Sequence, residues 1–487
     1  MATVYKIHPA IGVARVGNSP DGFFIGPEAP GSPGVETDDA GVEAPLTRYK
    51  VGGQVKRQAA RFRVFAYEQD ARGNLELVGE VGPRAHVEWS VDLANRKAAF
   101  AGEVGPAAPR NTDIADRDSL IIRPDQPARI TVDQPPQDLS GTLLGQQVYL
   151  GEIRTDPAGR LIVLGGRGTS GSVPPGQPLN EFANNDRWYD DVSDGPVTAT
   201  VTQPGQAPVV VHEPAWVVVA PPDFAPSVDA VVSLYDIAFQ AAIDKGAIQA
   251  EPVPSFTRHI KPRIERTASL RWVDDWNQWA DLSAVDWATL ADPAPAAQNA
   301  RAHMAGRVKT PGLTLFALPR FLKTYLDQWV AGDFVSDLDI PPADEPLPLQ
   351  LDRAALEHCS GNNFFPGIEG GQNLKDKDIY ARPLRLDPTN LGKVYPGCLT
   401  EIMALPWQAD FYDCESGVWW PTQRPDHVMT SANAIPPSKT EWEKPINGYQ
   451  NMVDHVLRLG FIVAQQANGQ RVLVEVDRDP QFPRQLT

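Results

Sequence analysis

The stretch Arg61 to Tyr67, which reads RFRVFAY, decides the fold of the first half of the chain because its polar and apolar side chains alternate. Successive side chains of a β-strand point to opposite faces, so this alternation predicts a half-buried strand. The stretch His86 to Val91 (HVEWSV) has the same pattern. Residues 161–164 and 209–211 are short apolar runs between Pro and Gly clusters, which is typical of buried strands.

Turn signals recur about every ten residues through this half, a spacing typical of β-sandwiches and barrels. The chain therefore predicts a β-rich N-terminal half with sandwich-like sheets. The Pro-rich stretch 221–226 that follows reads as a linker, so we place a boundary near residue 222.

Beyond this linker the apolar residues take the spacing of helices. Residues 227–245 predict a helix with Ser227 as its N-cap and Gly246 as its C-terminal stop. Other predicted elements are helices at 313–331 and 448–459, and strands at 461–463 and 471–476 joined by a hairpin turn at Asn468-Gly469. The fold class is therefore predicted as α+β, with a mixed helical and irregular C-terminal part.

We expect three regions, which are 1–222 (β-rich), 223–350 (mainly helical) and 351–487. The last one holds all three cysteines of the chain and would be the catalytic region. A tryptophan stripe marks the second region, and such a stripe is more often core than a ligand platform, with an oligomer interface as the alternative. The stripe consists of Trp272, Trp276, Trp279 and Trp287. We expect a homo-oligomer.

Composition argues against several classes of partner. Lys and Arg number 44 against 61 Asp and Glu, and the formal charge of −17 disfavours nucleic acid and anionic membranes. A local basic patch remains an alternative, although nothing in the sequence concentrates one. No run approaches the roughly 18 apolar residues of a membrane-spanning helix, and residues 1–12 lack signal-peptide features. We therefore expect a cytoplasmic protein. Three cysteines are too few for a disulfide framework.

Two familiar motifs are absent or incomplete. Residues 166–171 match GxGxxG after a strand, but SVPPGQP follows, which cannot open the helix that a dinucleotide site requires. A tight turn is the better interpretation. The eight histidines show no metal-ligand spacing, so no metal site is expected. A metalloenzyme that assembles His358, Cys359 and His427 in space remains an alternative.

The strongest local constellation is 406–414 (PWQADFYDC), followed by Trp419-Trp420. If 407–415 is helical, Asp410 and Cys414 share a face. A carboxylate one turn from a thiol raises the thiol pKa, which is unfavourable for a free thiolate nucleophile. A thioether sulfur carries no charge, and the carboxylate is then left as a general base beside it. A buried structural cysteine within an aromatic cluster is the alternative.

Several stretches, in order, make the chain similar to the quinoprotein amino-acid oxidases typified by lysine ε-oxidase and glycine oxidase. These oxidases carry a cysteine tryptophylquinone made from their own side chains. The resemblance spans roughly residues 5 to 476, and its individual motifs are weaker than their combination. The matching stretches are 8–18 (HPAIGVARVGN), 56–68 (KRQAARFRVFAYE), 165–171, 184–196 (NNDRWYDDVSDGP), 364–369 (FFPGIE) and 406–425.

The resemblance implies roles for individual residues. Cys414 would be the quinone cysteine, Asp410 the active-site base and Trp442 the cross-linked tryptophan. Trp420 and Trp419 are the fallback choices, because the stretch from Cys414 to Trp442 is shorter than is usual in the family. The substrate pocket would include Cys359 as a second pocket cysteine, together with His358, His427 and Trp407.

The resemblance also implies the reaction and the partners. A primary amine of an amino acid would be oxidised with O2 to an aldehyde or keto acid, releasing ammonia and hydrogen peroxide. A separate flavin-dependent protein would help to install the quinone, which would be absent from a chain made without it. A family member that lacks the quinone and serves in binding or assembly is the second hypothesis. The identity of the amine is not readable from the sequence.

Overall fold

The computed structural model describes residues 2–38, 42–103, 108–274, 282, 284–309, 318–341, 344–361, 369–413, 422–429, 439–467 and 469–484. Most of the strands lie before residue 221, and the α-helices follow them. The α+β prediction is therefore confirmed.

Fifteen strands of the first half join into one large sheet. Its main path runs β11-β10-β17-β19-β2-β8-β14-β13-β12, and β2 pairs parallel with β19. The strands of the described chain are β1 (Ala2–His8), β2 (Ile11–Arg15), β3 (Phe23–Ile25), β4 (Val35–Thr37), β5 (Glu43–Pro45), β6 (Lys50–Val51), β7 (Gln54–Val55), β8 (Arg57–Gln69), β9 (Leu75–Glu80), β10 (His86–Val91), β11 (Ala128–Ile130), β12 (Gln137–Leu143), β13 (Gln146–Thr155), β14 (Leu161–Gly165), β15 (Gly171–Ser172), β16 (Trp188–Tyr189), β17 (Ser193–Thr202), β18 (Val209–Val210), β19 (Ala215–Ala220), β20 (Tyr380–Arg382), β21 (Arg385–Leu386), β22 (His427–Met429), β23 (Lys439–Glu441), β24 (Phe461–Ala467) and β25 (Gln470–Val476).

The predicted strand at 61–67 lies within β8, but its half-buried character was wrong. Arg61 and Arg63 are only 5% and 8% exposed. They remain charged inside the protein because Glu28 accepts hydrogen bonds from both guanidinium groups. Buried charges are tolerated where they are paired in this way.

Nine α-helices lie in the described residues, nearly all in the second half. They are α1 (Leu234–Asp244), α2 (Lys261–Ser269), α3 (Trp287–Ala291), α4 (Gln298–Lys309), α5 (Arg320–Ala331), α6 (Leu347–Glu357), α7 (Gly371–Leu374), α8 (Trp407–Asp413) and α9 (Tyr449–His455). None of the described helices is long and apolar enough to cross a membrane.

The first of these helices begins later than the sequence pattern indicates. Ser233, not Ser227, is the N-cap of α1, and its side chain accepts a hydrogen bond from the backbone of Asp236. The Asp236 carboxylate accepts one in return from the Ser233 backbone at 2.8 Å, which completes a capping box. At the other end Gly246 has φ of +73°, so the predicted stop is confirmed.

The other predicted C-terminal elements are present in the described residues. The segment 320–331 is helical, while residues 313–317 of that prediction lie outside the described chain. The predicted helix at 448–459 is α9, extended by one 3-10 turn. Strands β24 and β25 pair antiparallel, with Asn468 outside the described residues. Trp276 and Trp279 also lie outside them.

The parallel strands β2 and β19 determine where the candidate site lies in the fold. Carboxyl ends of parallel strands meet at one edge of a sheet. Arg15 therefore ends β2 beside Ala220, the last residue of β19, and the chain continues into 221–226 at the same edge. Elements of the C-terminal half pack against this edge, with α6 lying on β2.

Candidate active site

Helix α8 carries the strongest sequence constellation, and the N-terminal half of the protein holds its first turn. The Asp190 carboxylate accepts a hydrogen bond from the backbone N–H of Trp407 at 3.1 Å. The same carboxylate forms an ion pair with Lys97 Nζ at 2.7 Å, and both side chains are fully buried. Lys97 also donates to the carbonyl of Ala404, just before the helix, at 2.9 Å. A carboxylate at a helix N-terminus is favoured by the helix dipole.

The glycine-rich loop at 165–171 supports the same helix and does not open one of its own. Gly168 has φ of +70° and the loop runs on into strand β15, so the tight-turn interpretation is confirmed. Gln408 in α8 accepts a hydrogen bond from Ser170 Oγ at 2.7 Å. The Thr169 N–H donates to Asp191 Oδ2 at 3.0 Å. This loop and the segment 184–196 therefore both hold α8 in position.

Asp410 lies in α8 and is only 1% exposed. Its helical neighbours Trp407 and Phe411 are equally buried, and their rings meet edge to face with centroids 4.9 Å apart. The described part of α8 ends at Asp413. Cys414, together with Trp419 and Trp420, lies outside the described residues.

Trp442 is fully buried and fixed by its polar and aromatic contacts. Its indole Nε1 donates a hydrogen bond to the carbonyl of Gly460 at 2.9 Å. The ring of Phe224 lies against it, with centroids 4.9 Å apart, and also approaches Phe411 at 6.4 Å. Phe224 therefore joins the tryptophan to the helix that bears Asp410.

Arg424 forms a second link between this tryptophan and α8. Its Nε donates to the carbonyl of Phe411 at 2.7 Å, and its guanidinium lies 5.8 Å from the centre of the Trp442 ring. The charge is balanced by Asp426 at 3.0 Å and Glu443 at 3.4 Å. Arg424 is 1% exposed, so all of these contacts are made inside the protein.

A buried polar cluster lies on the sheet-edge side of this aromatic group. Arg15 forms an ion pair with Glu369, and its Nη2 lies 3.5 Å from the Cys359 sulfur. Glu369 also accepts hydrogen bonds from the Ser360 backbone at 2.6 Å and from Gln423 Nε2 at 3.2 Å. Burial and the Glu369 charge raise the pKa of the Cys359 thiol well above its ordinary value. Cys359 is thus held as a neutral thiol.

The polar cluster and the aromatic group are adjacent in space because two chain segments run through both. Gln423 bonds Glu369 while its neighbour Arg424 lies over Trp442. Asp223 precedes Phe224 in the same way, and the two segments are joined by a hydrogen bond from the Phe224 N–H to the Gln423 carbonyl at 2.9 Å. Burial raises the pKa of Asp223 to about 7, despite the nearby Arg15 charge.

His358 and Asp229 form an ion pair, with 3.1 Å between Nδ1 and Oδ1. Burial lowers the pKa of His358, but the hydrogen bond and charge of Asp229 outweigh it and raise that pKa above its ordinary value. For Asp229 the same partner outweighs burial and lowers the pKa to about 2. The ion pair therefore favours the charged form of both groups.

Two family models cover most of the chain. The model of the L-lysine ε-oxidase N-terminal domain matches residues 8–219, and that of its C-terminal domain matches residues 304–439. The chain belongs to the L-lysine ε-oxidase family. This LodA-like family consists of amino-acid oxidases, so the chain is an oxidoreductase.

Relatives of this family member come from Marinomonas mediterranea. The L-lysine 6-oxidase of that organism is 28% identical over 533 residues, covering 84% of this chain and 71% of the relative. Crystal structures of L-Lys ε-oxidase and of its Schiff base intermediate with L-Lys superpose with TM-scores of 0.79 and 0.78. Each is 23% identical and covers 98% of this chain and 95% of the other, so the fold is shared throughout.

The structure brings together some of the residues predicted for the site and separates others. Asp410, Trp407 and Trp442 belong to one aromatic group, linked through Phe224 and Arg424. Cys359 lies in the adjoining polar cluster. His358 points to Asp229 instead, and His427 begins strand β22, one residue beyond Asp426. In the described residues no three His, Cys, Asp or Glu side chains form a group that could hold a metal ion.

The motifs of the sequence did not single out three charged residues that belong to the candidate site. They are Arg15, Glu369 and Arg424, and each lies inside a stretch that carries the family resemblance. Phe224 was missed as well, because it lies in the Pro-rich stretch interpreted as a linker. The family motifs could therefore have indicated the three charged residues. The sequence did not indicate which residues they contact in the folded protein.

Proposed function

We propose that this chain oxidatively deaminates a primary amine of an amino acid through a cysteine tryptophylquinone built from Cys414 and Trp442. The observation that carries the proposal is the packing of Trp442, through Phe224 and Arg424, against the helix that bears Asp410 and leads to Cys414. The overall reaction consumes the amine, O2 and water. It yields an aldehyde or keto acid, ammonia and hydrogen peroxide.

The residues around Trp442 fit such a group. The indole is enclosed by protein, and one guanidinium lies against its ring, a position suited to the partial negative charge of quinone oxygens. Trp420 and Trp419 remain the fallback choices for the cross-link. When present, the quinone supplies an electrophilic carbonyl that no ordinary side chain provides.

The protein's own residues have distinct roles in this proposal. Asp410 accepts the proton from the carbon that bears the amine, because a buried carboxylate has the right chemistry for a general base. Trp407 and Phe411 exclude water from its surroundings. Arg424 contacts both the Trp442 ring and the carbonyl of Phe411, and so fixes the position of the tryptophan relative to α8. Cys359, held neutral beside Arg15, lines the approach from the sheet edge, and we place His358 and His427 farther out in the substrate pocket.

The proposed partners are O2, the amine substrate and a flavin-dependent maturation protein that installs the oxygens. The relative from Marinomonas mediterranea is named for L-lysine, so L-lysine is the first substrate to assay. Glycine and other amino acids follow. The maturation protein has a practical consequence, because the chain should be co-expressed with it before any measurement.

Tryptic mass spectrometry distinguishes the candidate tryptophans sharply. Trypsin does not cut before proline, so Cys414 lies in the peptide 394–439 with Trp419 and Trp420, whereas Trp442 lies in 440–458. A cross-link to Trp442 joins these two peptides into one species that carries two added oxygens minus the hydrogens lost. A cross-link to Trp419 or Trp420 leaves 394–439 alone and internally modified.

Two aspartate variants test the base. Asp410→Asn should lower kcat by about 10²- to 10⁴-fold, the usual contribution of a general base. Asp413→Asn is the matched control, since Asp413 lies in the same helix but is exposed, and it should retain activity. Joined peptides together with this pattern support the proposal. Free Cys414 and unmodified tryptophans after co-expression would exclude the quinone and favour a binding or assembly role.

A further inference from the structure

A cavity in the second half of the fold is lined by described residues that the proposed reaction does not use. It has a volume of about 530 Å³, within the range of small-molecule sites. Its wall includes residues of α2, the 3-10 turn at Leu270–Trp272 and strand β25. Asp410, Trp407 and Trp442 are not part of the described wall.

Arginines dominate this wall although the whole chain is acidic. The six that line it are Arg258, Arg263, Arg266, Arg271, Arg353 and Arg471. Among the residues that the structure describes, four carboxylates lie within 4.0 Å of these guanidinium groups, and none of the four pairs with Arg271 or Arg471. In the described wall the six arginines outnumber the carboxylates, which are Asp229, Glu265 and Glu357.

Arg266 is the clearest case of a cavity arginine with an unused hydrogen-bond donor. The side chain is nine-tenths buried, and its Nη1 is enclosed without a hydrogen-bond acceptor in the described structure. Its nearest carboxylate, Glu357, is 3.7 Å away from the other nitrogen and is shared with Arg353. A buried donor without an acceptor is destabilising, more so when it is charged, so an acceptor within the cavity would be stabilising.

The two arginines without carboxylates are also close enough to repel each other. Burial lowers the pKa of Arg271, and the charge of Arg471 lowers it further. Arg271 donates to the carbonyls of Ala268 and Leu282, and within the described structure Arg471 donates to the carbonyl of Ser227 at 3.4 Å. Both keep donors that a ligand can accept from.

We propose that this cavity binds a small anion with at least two negative charges, held by Arg266, Arg271 and Arg471. Its charged groups are carboxylates or phosphates, which match the planar fork of guanidinium donors. The described wall holds three carboxylates, and each has a cationic partner: Asp229 pairs with His358, Glu265 with Lys261, and Glu357 with Arg353 and Arg266.

The test uses the full chain and isothermal titration calorimetry at constant ionic strength, with citrate and inorganic pyrophosphate as probes. We expect saturable one-to-one binding of at least one probe, and the preferred probe distinguishes carboxylate from phosphate chemistry. The Arg271→Gln/Arg471→Gln variant should bind at least about tenfold more weakly, a loss of about 1.4 kcal/mol. The single variant Arg471→Gln, at an exposed position, should show a smaller loss and serves if the double variant does not fold.

The matched control is Arg123→Gln/Arg129→Gln, which removes two exposed charges from the N-terminal sheet. Its affinity should stay within about twofold of the wild type. Two results would overturn the proposal. One is the absence of saturable binding of either probe up to about 10 mM. The other is an equal loss in both double variants, which would mean that only net charge matters.

Discussion

Replacing Arg424 with Gln removes the charge that links Trp442 to helix α8. The guanidinium is 1% exposed, and it lies 3.0 Å from the Asp426 carboxylate and 3.4 Å from that of Glu443. Glutamine keeps hydrogen-bonding capacity but no charge. Two buried carboxylates would then lose their counter-charge, while the carbonyl of Phe411 would lose its 2.7 Å donor.

The expected cost is about 3–5 kcal/mol, since breaking a buried ion pair leaves an uncompensated charge. The cost should also depend on pH. Burial raises the pKa of Asp426 well above its ordinary value, and Arg424 is the main opposing charge. Without Arg424 that pKa rises further, so the folded variant binds a proton that the unfolded chain releases. The destabilisation should therefore increase as the pH rises through the folded-state pKa of Asp426.

Urea unfolding followed by tryptophan fluorescence measures this free energy at each pH. Arg129→Gln is the control, because its ion pair with Glu88 is exposed and should contribute at most about 1 kcal/mol. Arg424→Lys keeps the charge but not the planar fork, and should fall between the two. A loss below about 1 kcal/mol for Arg424→Gln, or a loss that does not change with pH, would refute the reasoning.

Three further predictions concern the support of the site. Asp190→Asn should cost about 3–5 kcal/mol in urea unfolding, because it leaves a fully buried ammonium unpaired, and wild-type stability would contradict this. Gly195→Ala would place Cβ 1.9 Å from a backbone carbonyl oxygen and should cost about 1–3 kcal/mol, whereas Gly306→Ala, in open space on α4, should gain about 0.5–1 kcal/mol; calorimetry separates them. The raised pKa of His358 stabilises the fold below pH 6.5, and this stability is lost as the pH rises through the folded-state pKa. Above pH 6.5 the melting temperature of Asp229→Asn should therefore fall less steeply with pH than that of the wild type. An unchanged slope would argue against a stabilising ion pair between His358 and Asp229.

Elements with a local pattern were predictable from the sequence, and those that depend on distant pairing were not. The apolar run at 161–164 is strand β14, buried at every position. The pairing of β2 with β19 joins segments about 200 residues apart, and no local spacing indicates it. The start of α1 was misplaced because two serines precede it. Only Ser233 has an acidic residue three positions later, which forms the capping box.

The candidate site was predictable only in part, for a related reason. Asp410 and Trp442 came from the family resemblance, and the fold brings them into one aromatic group. Arg15 and Arg424 are charged residues, which are usually exposed, so a sequence gives no reason to bury them. Each is buried because its carboxylate partner arrives from another segment, Glu369 for Arg15 and Glu443 for Arg424.

The arginine-lined cavity is a local cluster of positive charge, which the overall composition left open. A net charge of −17 is a sum over the whole surface, whereas charges in water are screened beyond about 8 Å at physiological salt. Four of the cavity arginines lie between 258 and 271, on one helix and its flanking turns, and the fold adds Arg353 and Arg471. In the described wall these arginines outnumber the carboxylates, although the chain as a whole is acidic. The overall charge therefore argues against large anionic partners such as nucleic acid, but it places no restriction on a small anion inside this cavity.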